Sequence, residues 1–102
     1  MGVTRINEFR ARQGHAAPLR DFLRGVVPTI EAAPGCRSCR LLEGHGDPTL
    51  FVVIEEWDDI EAHRAASGRI PPDQLQQVMA MLVEPPGGDY FEDALEARSA
   101  VE

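Results

Sequence analysis

Phe51-Val52-Val53-Ile54-Glu55-Glu56-Trp57-Asp58-Asp59-Ile60-Glu61-Ala62-His63 is the stretch that decides the fold. Its first four residues are apolar and mostly β-branched, the mark of a buried strand. The strand ends at the only tryptophan and gives way at once to a helix. Asp58 suits the N-cap, and Glu61 three residues later completes a capping box. Glu55 and Trp57 lie two apart and so share one strand face. His63 follows on the helix. A carboxylate, an indole and an imidazole are thereby set to converge on one pocket. The same residues also fit a core tryptophan, a paired glutamate and a surface histidine, and spacing alone does not separate the two readings.

Working outward, Val3 to Ala11 reads as the first strand. Val3, Arg5, Asn7 and Phe9 fall on one face and Thr4, Ile6, Glu8 and Arg10 on the other. Asn7 is the only asparagine, a hydrogen-bonding group in mid-strand. Gln13-Gly14 is a turn. Leu19, Phe22, Leu23, Val26 and Ile30 recur at helical spacing. Pro18 fits the first turn, whereas Pro28 predicts a kink or an early end. Cys36 to Glu43 reads as strand two, Gly44 to Pro48 as a hairpin turn with His45 exposed, and Thr49 to Trp57 as strand three. The helix from Asp58 to about Gly68 turns Ile60, His63, Arg64 and Ser67 inward. Pro71-Pro72-Asp73 starts another helix with Leu75, Val78, Met79 and Leu82 as its stripe. Asp89 to Asp93, with Tyr90 and Phe91, is a final strand, and Ala94 to Glu102 a polar tail.

The order β-α-β-β-α-β is the ferredoxin-like split βαβ unit, an α+β fold with a four-stranded antiparallel sheet. Right-handed crossovers put the helices on one sheet face. The other face, with Val52 and Ile54, calls for a second copy, which predicts a homodimer.

Composition narrows the function. The 102 residues make one domain, 1–93, plus the tail. A net charge of -7 with no lysine argues against nucleic acid as a partner. No apolar run reaches the length of a membrane span, and no signal peptide is evident, so the expected location is the cytoplasm. Cys36 and Cys39 form a lone C-x-x-C on a strand, where residues three apart face opposite ways, and no second ligand pair completes a zinc site.

Several short motifs agree with a known family: Gly14 after strand one, Ala33-Pro34-Gly35-Cys36 before strand two, Pro48-x-x-Phe51 in the hairpin, and Glu55-x-Trp57 followed by Glu61-Ala62-His63. In their order and spacing the chain resembles the antibiotic biosynthesis monooxygenase domain family of the dimeric α/β barrel superfamily. The resemblance implies a dimer with a pocket between sheet and helices. It also implies a monooxygenase that oxidises a quinol or hydroxylated aromatic with O2 and no cofactor. A second branch of the family degrades haem through an Asn on strand one, a Trp ending strand three and a later His. Asn7 and Trp57 match the first two, but Ala66 and Ser67 fill the places nine and ten residues after the Trp where that His stands.

The chemistry assigns roles within such a pocket. Catalysis falls to Asn7, Trp57 and His63: the imidazole as base, the amide and indole N–H as donors to developing negative charge. Phe22, Phe51, Glu55, Arg64 and Tyr90 are the candidate substrate-binding residues, with no metal. The alternative is a non-catalytic module binding a small ligand, because a fold does not fix a function.

Overall fold

The computed structural model describes residues 2–95; the tail residues 96–102 lie outside the described residues. The chain runs β1 (Val3–Arg10), α1 (Ala16–Glu31), β2 (Cys36–Glu43), β3 (Leu50–Trp57), α2 (Ile60–Ser67), α3 (Pro72–Ala80) and β4 (Gly87–Phe91). The four strands form one sheet in the order β2-β3-β1-β4, and every neighbouring pair is antiparallel. This is the ferredoxin-like α+β arrangement.

The register fixes which side chains share a face. β3 alternates without a break: Phe51, Val53, Glu55 and Trp57 are buried, and the residues between them are half-buried. Their partners on β1 are Phe9, Asn7, Arg5 and Val3. β4 adds Tyr90 opposite Arg5 and Gly88 opposite Asn7. The helices cover this face. At one end Ala11, Leu19, Leu23, Phe51, Val78, Met81 and Leu82 form the apolar core, with Phe9, Phe22 and Leu41 packed against it. The opposite sheet face carries Ile6, Val52 and Ile54, all half-buried, with Leu42 and Phe91 exposed.

The structure departs from the sequence reading in several places, each with a local cause. α1 does not stop at Pro28 but continues to Glu31. Both Pro28 and Arg24 are exposed, so the Arg24 carbonyl that loses its partner is turned to water. α2 is capped by Asp59, whose side chain accepts from the Ala62 N–H at 2.8 Å, and not by Asp58. Asp58 pairs instead with Arg37 at 2.7 Å. Ala62 packs on Gly35, where a methyl group would meet the Ala62 Cβ. The inward residues of α2 are therefore Ile60, Ala62, His63 and Ala66, while Arg64 and Ser67 are exposed.

α3 buries Val78, with Met81 and Leu82 just beyond it, but leaves Leu75 and Met79 exposed. The chain after α3 is pinned to the end of β1: Ala11 bridges Leu82, and the Arg12 N–H donates to the Met81 carbonyl at 2.9 Å. Only the C-terminal end of that helix is thus held over the core. The last strand begins at Gly87 and ends at Phe91, two residues earlier than its sequence pattern predicts. Finally, β2 has a bulge between Cys36 and Ser38. One extra residue reverses the alternation, so Cys36 lies opposite Trp57 and Cys39 opposite Glu55. Both cysteines face the helices, contrary to the unbulged expectation.

Candidate functional site

Beyond the apolar core, the same covered face becomes polar. Three antiparallel strands bring Arg5, Asn7, Glu55, Trp57 and Tyr90 to one end of the sheet, and α2 lays His63 over them. Glu55 is the only charged residue buried among the described residues, at 4% exposed. A buried carboxylate needs donors, and it has them. The Trp57 indole N–H donates to its Oε1 at 2.8 Å, and the Asn7 Nδ2 donates to its Oε2 at 3.2 Å. Asn7 in turn accepts at Oδ1 from Arg5 Nε at 2.9 Å. Gly88 makes room for this pair, since a Cβ there would collide with Asn7 Oδ1.

His63 closes the cluster. Its Nδ1 lies 2.6 Å from the Tyr90 hydroxyl, and its Nε2 lies 3.9 Å from Glu55 Oε1, too long for a hydrogen bond. Its ring stands edge-on to Trp57 at 5.5 Å and to Tyr90 at 5.3 Å between centroids. The Arg5 guanidinium sits 4.7 Å from the centre of the Tyr90 ring, a cation–π contact. Burial pushes the Glu55 carboxyl above its ordinary range, and the bonds from Trp57 and Asn7 and the charge of Arg5 pull it partly back. Burial, then the charges of Arg5 and Arg64, hold the His63 imidazole below its ordinary value. The imidazole is accordingly a neutral base near pH 7.

Five of the eight residues singled out from sequence meet here: Asn7, Glu55, Trp57, His63 and Tyr90. Arg64 is exposed on α2 and acts on the cluster only through its charge. Phe22 and Phe51 belong to the apolar core at the other end. The indole N–H and one N–H of the Asn7 amide point inward to Glu55 and are not open to a ligand in this arrangement. Arg5 was missed as a site residue. Its signal was its place on the Asn7 face of β1, which gains meaning only once Glu55 and Tyr90 are set opposite it. Two surface cavities elsewhere on the molecule are lined by Glu8, Arg10, Leu50, Glu84, Pro85 and Gly87, and by Arg12, Gln13, His15 and Val83; neither touches the cluster. Among the described residues no group of three or more His, Cys, Asp or Glu is placed to hold a metal, and no helix is long and apolar enough to cross a membrane.

A ferredoxin-like sheet with a buried Glu55 and Trp57 and a half-buried His63 at one end defines an α+β domain with a polar, aromatic end, and comparison with known proteins makes this specific. The chain belongs to the antibiotic biosynthesis monooxygenase family, whose profile matches residues 2–71. It is similar to the solved structure of a Mycobacterium tuberculosis protein, with 24% identity over 91% of this chain and 95% of that one and a TM-score of 0.79. A Pseudomonas aeruginosa protein shares 27% identity over 90% and 93%, with a TM-score of 0.77. A candidate antibiotic biosynthesis monooxygenase from Nitrosomonas europaea shares 17% over 92% and 91%, with a TM-score of 0.83. No functionally curated protein matches the chain.

Proposed function

We propose that the protein is a cofactor-independent monooxygenase that oxidises a small hydroxylated aromatic or quinol with O2. The observation that carries this reading is the row Tyr90–His63–Glu55 beside the Trp57 indole: a neutral base, backed by a buried carboxylate, in an aromatic setting. Ground-state O2 reacts slowly with closed-shell molecules, for spin reasons. A phenol that loses its proton becomes an electron-rich anion able to reduce O2 itself. The balance needs no external reductant: a phenol and one O2 give a quinone and one water. The protein's share is to remove the proton, stabilise the anion and exclude bulk water. His63 supplies the basic nitrogen, Arg5 and Arg64 the positive field, and Trp57 with Tyr90 the aromatic wall. A second copy laid over Ile6, Val52 and Ile54 would cover the open sheet face and make the working unit a homodimer.

The test is O2 uptake by the purified, metal-free protein with reduced 1,4-naphthoquinone, on material whose sedimentation shows twice the chain mass. Uptake above autoxidation is expected, and Trp57→Phe should slow it at least about tenfold by freeing Glu55 from its indole partner. A panel of quinols giving no uptake beyond autoxidation would remove the reading.

One observation favours a second reading, a non-catalytic ligand-binding barrel. Trp57 is 1% exposed, and its N–H and one N–H of the Asn7 amide are spent on Glu55. Saturable quenching of Trp57 fluorescence by quinols without turnover would select it. Haem does not fit the residues present: Ala66 and Ser67 offer no ligand, and both nitrogens of His63 face protein groups.

A further inference from the structure

The monooxygenase reading gives the substrate's proton to a base, and the obvious base is His63. The geometry does not leave it open. Nδ1 is held by the Tyr90 hydroxyl at 2.6 Å, and Nε2 faces the buried Glu55 carboxylate at 3.9 Å. Trp57 and Tyr90 stand edge-on to the ring. No lone pair of the imidazole is left for a ligand. The Tyr90 oxygen is differently placed. It belongs to a half-buried residue on β4, an edge strand with a neighbour on one side only among the described residues. When its O–H donates to His63, it still has lone pairs to accept with.

The tautomer follows from the surroundings. Were Nδ1 to carry the proton, the Nε2 lone pair would face the Glu55 oxygen, two acceptors against each other. With Nε2 protonated, the N–H points towards the carboxylate and Nδ1 accepts from tyrosine. Both Glu55 oxygens accept N–H donors, the arrangement that suits the ionised acid.

We propose, resting on the monooxygenase reading, that Tyr90 is the catalytic residue that takes the substrate's proton, with His63 and Glu55 as positioning residues behind it. In the step, the substrate O–H bond breaks and its proton passes to Tyr90 Oη. The Tyr90 O–H bond breaks as its proton passes to His63 Nδ1. The products are a substrate oxyanion and an imidazolium whose Nε2–H faces Glu55. No electrons change hands. The charged and titratable groups facing His63 are Glu55 from β3, Arg5 from β1, Tyr90 from β4 and Arg64 from its own helix. Arg5 and Arg64 disfavour the imidazolium in the resting site, keeping Nδ1 free to accept, and Arg5 at the Tyr90 ring favours the oxyanion once formed.

Two measurements on the full chain test this. Nitrogen-15 NMR of the imidazoles near neutral pH should show His63 as the Nε2–H tautomer in the free protein, and Tyr90→Phe, which keeps the ring, should mix the tautomers. In O2-uptake assays with reduced 1,4-naphthoquinone, Tyr90→Phe should lower kcat by about 100-fold or more, with KM within about threefold. His63→Gln should remove the acid limb of the kcat–pH profile while leaving Tyr90 in place. A resting Nδ1–H tautomer, or a Tyr90→Phe variant with kcat within threefold of wild type, overturns the relay and leaves the monooxygenase standing. Wild-type protein that takes up no O2 overturns both.

Discussion

The two ends of the covered sheet face are built from the same strands but held together by different forces. At one end Phe51, fully buried, meets Leu19, Leu23 and Leu82 with no polar atom to satisfy. At the other, Trp57 is as deeply buried but touches Glu55 and His63, which belong to a polar network reaching Asn7 and Arg5. Burial at the first end is non-directional and tolerates any close-packed filling. Burial at the second is conditional on hydrogen bonds, because each unpaired donor there costs more than the bond itself gains. The apolar end therefore stabilises the domain, while the polar end is the part whose geometry a reaction or ligand can use.

That contrast can be broken at three points. The largest effect belongs to the apolar end. Phe51→Ala removes a ring with no exposed surface and should cost about 3–5 kcal/mol in urea unfolding, with little change in the polar network. If the loss were under 1 kcal/mol, Phe51 would not be the anchor of that end. Next comes Glu55→Leu, which strands the indole N–H and the Asn7 amide; about 2–4 kcal/mol should be lost. Glu55→Gln keeps one carbonyl acceptor but turns its NH2 on the other donor, and should lose about 2 kcal/mol.

The pH dependence sharpens the second case. Burial raises the Glu55 carboxyl, so the folded chain holds that proton more tightly than the unfolded chain. Its contribution is complete below the ordinary value of 4.5 and is lost as pH rises through the folded value. The Gln variant does not titrate. Wild-type stability minus that of Glu55→Gln should therefore fall as pH climbs from 4.5; a rise would mean that the hydrogen bonds outweigh burial. The smallest effect is Gly88→Ala. A methyl there meets Asn7 Oδ1 and the Arg5 guanidinium, and about 1–2 kcal/mol should be lost as they shift. Because the shift passes through Asn7 and Glu55 to the indole, the emission of the only tryptophan should change with it; an unaltered spectrum would uncouple β4 from the network.

Much of the architecture was legible because hydrophobic period reports it directly. The run Phe51 to Ile54, the α1 stripe from Leu19 to Ile30 and the turn residues around Gly44 to Pro48 each carry a local signal, and the element order follows from them. Glu55, Trp57 and His63 were placed together by strand parity and helix spacing, and Asn7 joined them through the family resemblance. What failed was information carried by partners. The bulge that brings Cys36 and Cys39 to one face depends on pairing with β3. Asp58 and Asp59 are equal as caps until Arg37 engages one of them. Leu75 and Met79 share a stripe with Val78, yet only the end of α3 is tied to β1. Arg5 stood on the Asn7 face of β1 without an assigned role and is the residue linking Asn7 to Tyr90.

The bulge in β2 has a practical consequence. Cys39 is 7% exposed, lies opposite Glu55, and burial pushes its thiol up to about 12. A thiol so protected is inert to alkylating reagents while the sheet stays covered. Each alkylation event at that sulfur would therefore mark a moment when the covering layer had lifted, which equips the chain with its own stopwatch for breathing beside the polar end.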